Sequence, residues 1–500
     1  MATATAVATG FEKPASNFAK LLYPAAFLAS VSMWLVAAQA PLWVDETLVY
    51  WQISGGFWKI WSRSAAMPSS FAYLYILWFV KSVLGSREFA LRIPSLLAML
   101  AAAYWLFRAA QELFDREIAL ISCILFCLYT DVVLAAGNAR PYAFALLMTN
   151  LAIFALLRWN ARNEMRYAIL TGATAAGILY FHYLFGAILP AFAIYYLAMR
   201  WRSIRDNAAQ LTAMLSSFTL VSAPLVPRFL ELLRTKQPHI LAAVPKTLLT
   251  LRTLAPLNLL VIFLGTLLLA ALLKKVKLPG RDCSRAVLLC PLLALVPAAV
   301  LYLLSVATPM RVFIPRYCLV AVPGSALTWS FLISWIDLRW LRRTCCVSLV
   351  AITVFQYFTL PVARRQEMNF KQAHAFVNAN VANDKAPVLI CSAFIESNFE
   401  PIPTERNSEN ALVSQLSYYP VDAPVVLLPY SLNDEAVRLG SQAILAATQR
   451  HQRFLAVGSP ACYPTLTWLT NYSRGAFSAQ LMGDFNGVAV VGFRPVAGRD

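Results

Sequence analysis

The chain has 500 residues, 59 % of them hydrophobic and only 13 % charged, against roughly 25 % charged in an average soluble domain. With a mean hydropathy of +0.61, it carries more apolar surface than one globule can hide from water. An ordinary cytosolic enzyme, a disordered chain and a disulfide scaffold are excluded, and a polytopic membrane protein remains.

The net charge of +18, from 42 Lys+Arg and 24 Asp+Glu, is unevenly placed. Residues 362–500 hold 11 basic and 11 acidic side chains, and residues 1–361 hold 31 and 13. The basic residues lie between apolar runs and not along one face, which argues against a nucleic-acid partner. This predicts a cytoplasmic N-terminal tail over 1–19, a helical membrane bundle over 20–361, and a small soluble domain over 362–500.

In chain order, the apolar runs predict about eleven transmembrane helices. They fall near 20–40, 92–110, 118–136, 141–158, 167–183, 184–199, 208–227, 254–273, 286–304, 317–336 and 344–361. Lys13, Lys20 and Ala38-Gln39-Ala40 mimic a cleaved signal. The long run and Pro41 after the mock cleavage site favour a retained first span. The following loop, 41–91, is rich in boundary-seeking aromatics: Trp43, Tyr50, Trp51, Phe57, Trp58, Trp61, Phe71, Tyr73, Tyr75 and Trp78. It predicts two helices lying on the membrane surface, 45–61 and 70–84, separated at Pro68.

Orientation follows from the basic connections. Arg158/Arg162/Arg166, Arg200/Arg202/Arg205, Lys274/Lys275/Lys277 and Arg339/Arg342/Arg343 cluster in short loops. Such loops stay cytoplasmic, which puts loop 41–91 and the tail on the other side. In the tail, 388–390, 425–428, 454–457 and 488–491 read as strands and 366–381 and 433–450 as helices, hence an α/β domain. Its two cysteines, Cys391 and Cys462, can pair in an oxidising compartment.

Acids inside a membrane bundle are costly without a partner or a task, so the few present are informative. Asp45-Glu46 follows the first span directly. Neighbours on a helix point about 100° apart, so one can face a site while the other caps or pairs. Asp131 lies nine residues before Arg140, about 13 Å deeper if the run is helical. It is neutral, paired to an arginine, or lining a wet cavity. The complementary cations at the outer boundary are Arg92, Arg140, Arg311 and Arg316, with His182-Tyr183 beside them. Arginine forks match phosphate oxygens, so this ring suits an anionic phosphate headgroup.

The ordered set of motifs resembles a known family. It comprises Asp45-Glu46, the stretch from Gly85 to Ser95 with Glu88 and Arg92, then Ala139-Arg140-Pro141-Tyr142-Ala143, His182-Tyr183 and Pro315-Arg316-Tyr317. It is similar to the integral-membrane glycosyltransferases of the GT-C fold. The branch is the bacterial one related to protein O-mannosyltransferases, aminoarabinose–lipid A transferases and rhizobial galacturonosyltransferase-like proteins. The resemblance is good over 20–200 and weak over 200–361, and the tail is not diagnostic.

It implies a multi-pass protein of the bacterial inner membrane with a periplasmic C-terminal domain. The implied reaction moves a sugar from a polyprenyl-phosphate donor to a hydroxyl of a lipid, glycan or protein acceptor, by inverting displacement. Asp45 would be the base, and Glu46 would orient the loop or the sugar. Arg140, Arg316 and Arg92 would bind the donor phosphate, with His182, Tyr183, Tyr142 and Asp131 as weaker contributors. Some members carry a second acid near where this chain has Asn138 and Arg140. No cofactor is required, although Asp45, Glu46 and His182 are residue types that a divalent metal accepts. Two other functions share these features: a transporter or flippase of lipid-linked glycans, and a non-catalytic scaffold presenting the C-terminal domain.

Overall fold

A computed structural model describes residues 17–66, 70–234, 257–277, 284–308, 312–359, 368–400 and 410–496. Pro68, Arg311 and most of the predicted N-terminal tail lie outside the described residues. The first part of the chain forms α1 (Asn17–Ala37), α2 (Val44–Ser54), α3 (Lys59–Ala66), α4 (Phe71–Leu84) and α5 (Glu88–Ala110). Then come α6 (Arg116–Leu128), α7 (Thr130–Gly137), α8 (Tyr142–Arg162) and α9 (Met165–Phe181). Later helices include Ala208–Ser222, Leu257–Leu272, Ser284–Ala307, Val322–Ser334 and Arg339–Thr359.

Each apolar run read from the sequence is mostly helical over its described residues, but the span count differs from eleven. Among the described residues six helices are long and apolar enough to cross a membrane, or seven if a bent pair is one span. The apolar parts of two others, Leu21–Ala37 and Leu260–Leu272, are shorter. The helix from Arg339 opens on Arg339, Arg342 and Arg343, which dilutes its apolar content. The run 118–136 is not one straight helix. It breaks by 69° between α6 and α7, because Tyr129 adopts extended backbone as C-cap of one and N-cap of the other.

The loop 41–91 holds three helices, not two. Gly56 sits at φ +91, a conformation open to glycine and costly for other residues, and it separates α2 from α3. Ser70 caps α4 by accepting from the Tyr73 N–H, and Gly85 at φ +83 ends it.

Within the bundle, α8 lies between α5 and α9. Gly137, the last residue of α7, allows close contact with α1: a Cβ there would fall 2.5 Å from Ala37 Cβ. The other end of the bundle is tied by Arg158–Glu112 at 2.7 Å and Arg343–Glu117 at 2.9 Å.

The C-terminal part is a five-stranded sheet: β1 (Val388–Cys391), β2 (Val425–Leu428), β3 (Phe454–Gly458), β4 (Phe477–Phe485) and β5 (Val488–Pro495). Its order is β2-β1-β3-β5-β4. β2, β1 and β3 are parallel, and β5 and β4 are antiparallel to their neighbours. The sequence reading missed β4, an edge strand with mostly exposed residues, and the helix Tyr463–Tyr472. Successive strand residues face opposite sides. Leu389, Cys391, Phe454 and Ala456 pack beneath the helices Asp434–Gln449 and Tyr463–Tyr472. Cys391 and Cys462 form a disulfide on this side.

The opposite side of the sheet carries Val388, Ile390, Leu455, Val457, Val488 and Val490. These residues share one core with Leu42, Val49, Trp51, Leu74 and Leu91 of the membrane part. At roughly 1.5–3 kcal/mol for each large apolar side chain removed from water, a shared core of this size docks the sheet domain on the loop.

Candidate active site

The turn between α1 and α2 organises the site. The last carbonyls of a helix lack intrahelical partners, and a cation there is favoured by the helix dipole. Arg92, in the second turn of α5, lies just past the end of α1 and binds the turn that follows it. It donates to the carbonyls of Ala38 at 3.1 Å and Pro41 at 3.0 Å, and to that of Ala40. Its remaining donors hold Glu46 in a bidentate pair, Nε to Oε1 at 2.9 Å and Nη2 to Oε2 at 2.6 Å. Both residues are 1 % exposed.

Glu46 in turn orients two backbones. Its carboxylate accepts the Trp43 N–H at 3.2 Å, at the start of α2, and the Ala139 N–H at 2.6 Å, in the connection from α7 to α8. Ser95 donates to the Arg140 carbonyl at 3.3 Å. One buried ion pair thus fixes the end of α1, the start of α2 and the segment that carries Arg140.

Asp45 points elsewhere. Its Oδ2 lies 3.3 Å from Nη1 of Arg316 and 3.5 Å from Nη2 of Arg140. Arg140 also donates from Nη1 to the Asp45 carbonyl at 3.2 Å. The side chains keep part of their surface open: 24 % for Asp45, 17 % for Arg140 and 44 % for Arg316. Arg140 Nε is buried without a hydrogen-bond partner.

Aromatic rings stand around these cations. The Arg140 guanidinium is 5.8 Å from the Tyr142 ring and that of Arg316 is 5.3 Å from the Tyr317 ring. His182 lies between the two tyrosines, at 5.2 Å from Tyr142 and 5.3 Å from Tyr317, and 4.9 Å from Phe185. Its Nδ1 is also buried without a partner.

The structure therefore gathers Asp45, Arg140, Arg316, Tyr142 and His182 from four separate stretches of sequence. Arg92 does not join them as a phosphate ligand. Its donors are taken by Glu46 and three carbonyls, because burying an arginine requires that its donors be satisfied. Tyr183 pairs with Phe229, ring centroids 6.3 Å apart. Asp131 sits at the α6–α7 break, in the first turn of α7, where helix N–H groups favour a carboxylate. The length of α7 separates it from the segment bearing Arg140.

Among the described residues no group of three or more His, Cys, Asp and Glu gathers around a possible metal position. The Glu46 carboxylate is committed to Arg92 and two N–H groups.

The sequence reading missed Tyr317 as a wall of the site and missed the tail's contribution entirely. The Tyr419 hydroxyl accepts the Leu42 N–H at 2.8 Å and donates to Glu88 at 3.4 Å. Lys371 binds Glu88 at 2.7 Å, and the Tyr418 hydroxyl donates to the Ser86 carbonyl at 2.6 Å. Tyr418 also meets the Tyr50 ring edge-on at 4.6 Å. These contacts hold the tail against Leu42, Tyr50 and the 86–88 segment. The sole local hint was the doublet Tyr418-Tyr419 in an otherwise unremarkable stretch.

Residues 68–226 match the family model described as dolichyl-phosphate-mannose-protein mannosyltransferase. That segment contains Arg92, Arg140 and His182, while Asp45 and Arg316 lie outside it. The solved structure of ArnT from Cupriavidus metallidurans bound to undecaprenyl phosphate superposes with a TM-score of 0.53 at 13 % identity, covering 96 % of this chain and 98 % of that one. Its apo form gives 0.54, also at 13 % identity and with the same coverage. No curated protein matches the sequence. The chain is thus an integral-membrane protein with the GT-C fold, and its residues 68–226 are similar to the dolichyl-phosphate-mannose-protein mannosyltransferases.

Proposed function

We propose that the chain transfers a sugar from a polyprenyl-phosphate donor to an acceptor hydroxyl, with inversion at the anomeric carbon. The observation that carries this reading is one half-open carboxylate, Asp45, 3.3 and 3.5 Å from two arginine forks. The ArnT structure holds undecaprenyl phosphate, a ligand whose headgroup matches such forks.

In the reaction, Asp45 takes the proton of the acceptor hydroxyl as that oxygen bonds to the anomeric carbon. The bond from that carbon to the phosphate oxygen breaks, and its electron pair leaves on the phosphate. Arg140 and Arg316 stabilise the charge that develops there. Phosphate leaves readily, so no strong general acid is needed. One open carboxylate supports inversion. A retaining double displacement would need a second carboxylate as nucleophile, and Glu46 is locked to Arg92.

The reaction side is the non-cytoplasmic one, in a bacterial inner membrane. Two observations favour it. The sheet domain that covers Asp45's loop carries the Cys391–Cys462 disulfide, and disulfides persist in oxidising compartments. The arginine-rich connection at Arg158 lies at the far end of the helices from Asp45.

The test is transfer from a radiolabelled polyprenyl-phosphate sugar by the purified full chain, with mass spectrometry of envelope glycans to name the acceptor. Asp45→Asn should lower turnover by roughly 10²–10⁴-fold, the range for loss of a general base, without changing membrane insertion or thermal unfolding. Full turnover in that variant removes the assignment.

A further inference from the structure

We propose that the donor's phosphate unlocks Asp45: it takes over Arg140 and Arg316, and only then is the carboxylate free to act on the acceptor. This rests on the base assignment above and adds an order of events to it.

The geometry raises the question. A carboxylate gripped by two guanidiniums has its oxygen engaged and is held away from an acceptor hydroxyl until they let go. Asp45 Oδ2 is held by both Arg316 and Arg140, and Arg140 grips the Asp45 carbonyl as well. The cations that would stabilise the leaving phosphate are the same ones that restrain the base. Both tasks cannot be served by one set of contacts at once.

Charge gives the direction of the exchange. Two guanidiniums and one carboxylate leave a net charge of +1, which attracts an anion. A sugar-linked lipid phosphate is a diester with one negative charge, enough to compete with Asp45 for the same donors. Arg140 brings an unpartnered, buried Nε, and Arg316 is 44 % exposed, so both offer donors to an incoming phosphate. The neighbouring Glu46 cannot fill the gap left by Asp45, since Arg92 and two N–H groups hold it. Acceptor activation therefore waits for donor binding, which guards the base until a sugar is in place.

The product sharpens the same logic. After transfer the lipid phosphate is a monoester with up to two negative charges. It binds the arginines more tightly than the donor, and the return of Asp45 helps to displace it.

The test is binding of undecaprenyl phosphate to the full chain in lipid nanodiscs, with undecaprenol as the uncharged control. The lock predicts that Asp45→Asn and Asp45→Ala both bind the phosphate more tightly than wild type, by about threefold or more on the scale of a partly exposed ion pair. Undecaprenol binding should not change. Equal or weaker phosphate binding in the two variants overturns the lock, and damage to the site would give that weaker binding. In the wild-type chain, carbodiimide labelling of Asp45 read by mass spectrometry should rise when undecaprenyl phosphate is added. Protection of Asp45 overturns the proposal. Transfer assays on the same variants separate the two readings. Tighter phosphate binding with full turnover keeps the lock and removes the base, while loss of turnover with unchanged binding keeps the base and removes the lock.

Discussion

Asp45 and Glu46 are adjacent acids in one helical turn, yet their surroundings are opposite. Glu46 is 1 % exposed and bidentate to Arg92, with two backbone N–H groups completing its shell. Asp45 keeps 24 % of its side chain open and meets its two arginines at 3.3 and 3.5 Å. The first pair is a closed structural joint. The second is an arrangement with room for a ligand. The same residue types thus serve fold or chemistry according to how fully their hydrogen-bonding capacity is used up by the protein itself.

The largest effect that distinguishes the two regions is expected in the joint. Arg92→Met leaves Glu46 buried and unpaired, which costs about 3–5 kcal/mol. Thermal unfolding should show it as a large fall in Tm with poor recovery of folded protein. A Tm near wild type would show that water reaches Glu46 and that the joint is not closed.

Acid should act next, through the C-terminal sheet domain. His374 is buried with Nδ1 donating to the Tyr419 carbonyl at 2.7 Å, and Nε2 has no partner. Burial pushes its imidazole down to about 4 from an ordinary 6.5. It is therefore neutral in the fold, while the unfolded chain takes up a proton first as pH falls. Stability is fully present above pH 6.5 and declines from there to about pH 4, by on the order of 3 kcal/mol. Unfolding of the full chain at pH 7, 5.5 and 4.5 should follow this trend, and His374→Gln should flatten it. The Asp384 carboxyl, held below its usual range by Arg453, acts only at lower pH and is separable by its window.

The smallest change in stability belongs to the open site. Arg316→Ala removes one partly exposed ion pair, worth about 0–1 kcal/mol, and should leave Tm nearly unchanged. The KM for the lipid-phosphate donor should rise about tenfold, the loss of roughly one charge-assisted contact. A drop in Tm as large as that of Arg92→Met would erase the distinction drawn between the two regions.

Much of this was legible from residue order. Continuous apolar runs announced the helices, and four short apolar runs announced β1, β2, β3 and β5. Strand β4 escaped because most of its residues face water, leaving no apolar pattern to read. The two breaks in predicted helices, at Gly56 and Tyr129, turn on backbone angles that hydrophobicity does not encode. Arg92 was misassigned for a similar reason. Position along the chain put it in the same boundary ring as Arg140, and only packing revealed that three carbonyls and Glu46 surround it.

The sequence by itself determined that this chain lives in a membrane, that its tail folds as α/β, and that a few ionisable residues fall near one boundary. Those properties follow from composition and periodicity, which are local. Tertiary structure alone decided which carboxylate is sealed and which stays open. It also decided that Tyr419 reaches across to Leu42, a sequence separation of 377 residues. Such contacts depend on how finished elements pack, since burial and partner geometry, not residue type, set whether a charge is structural or available.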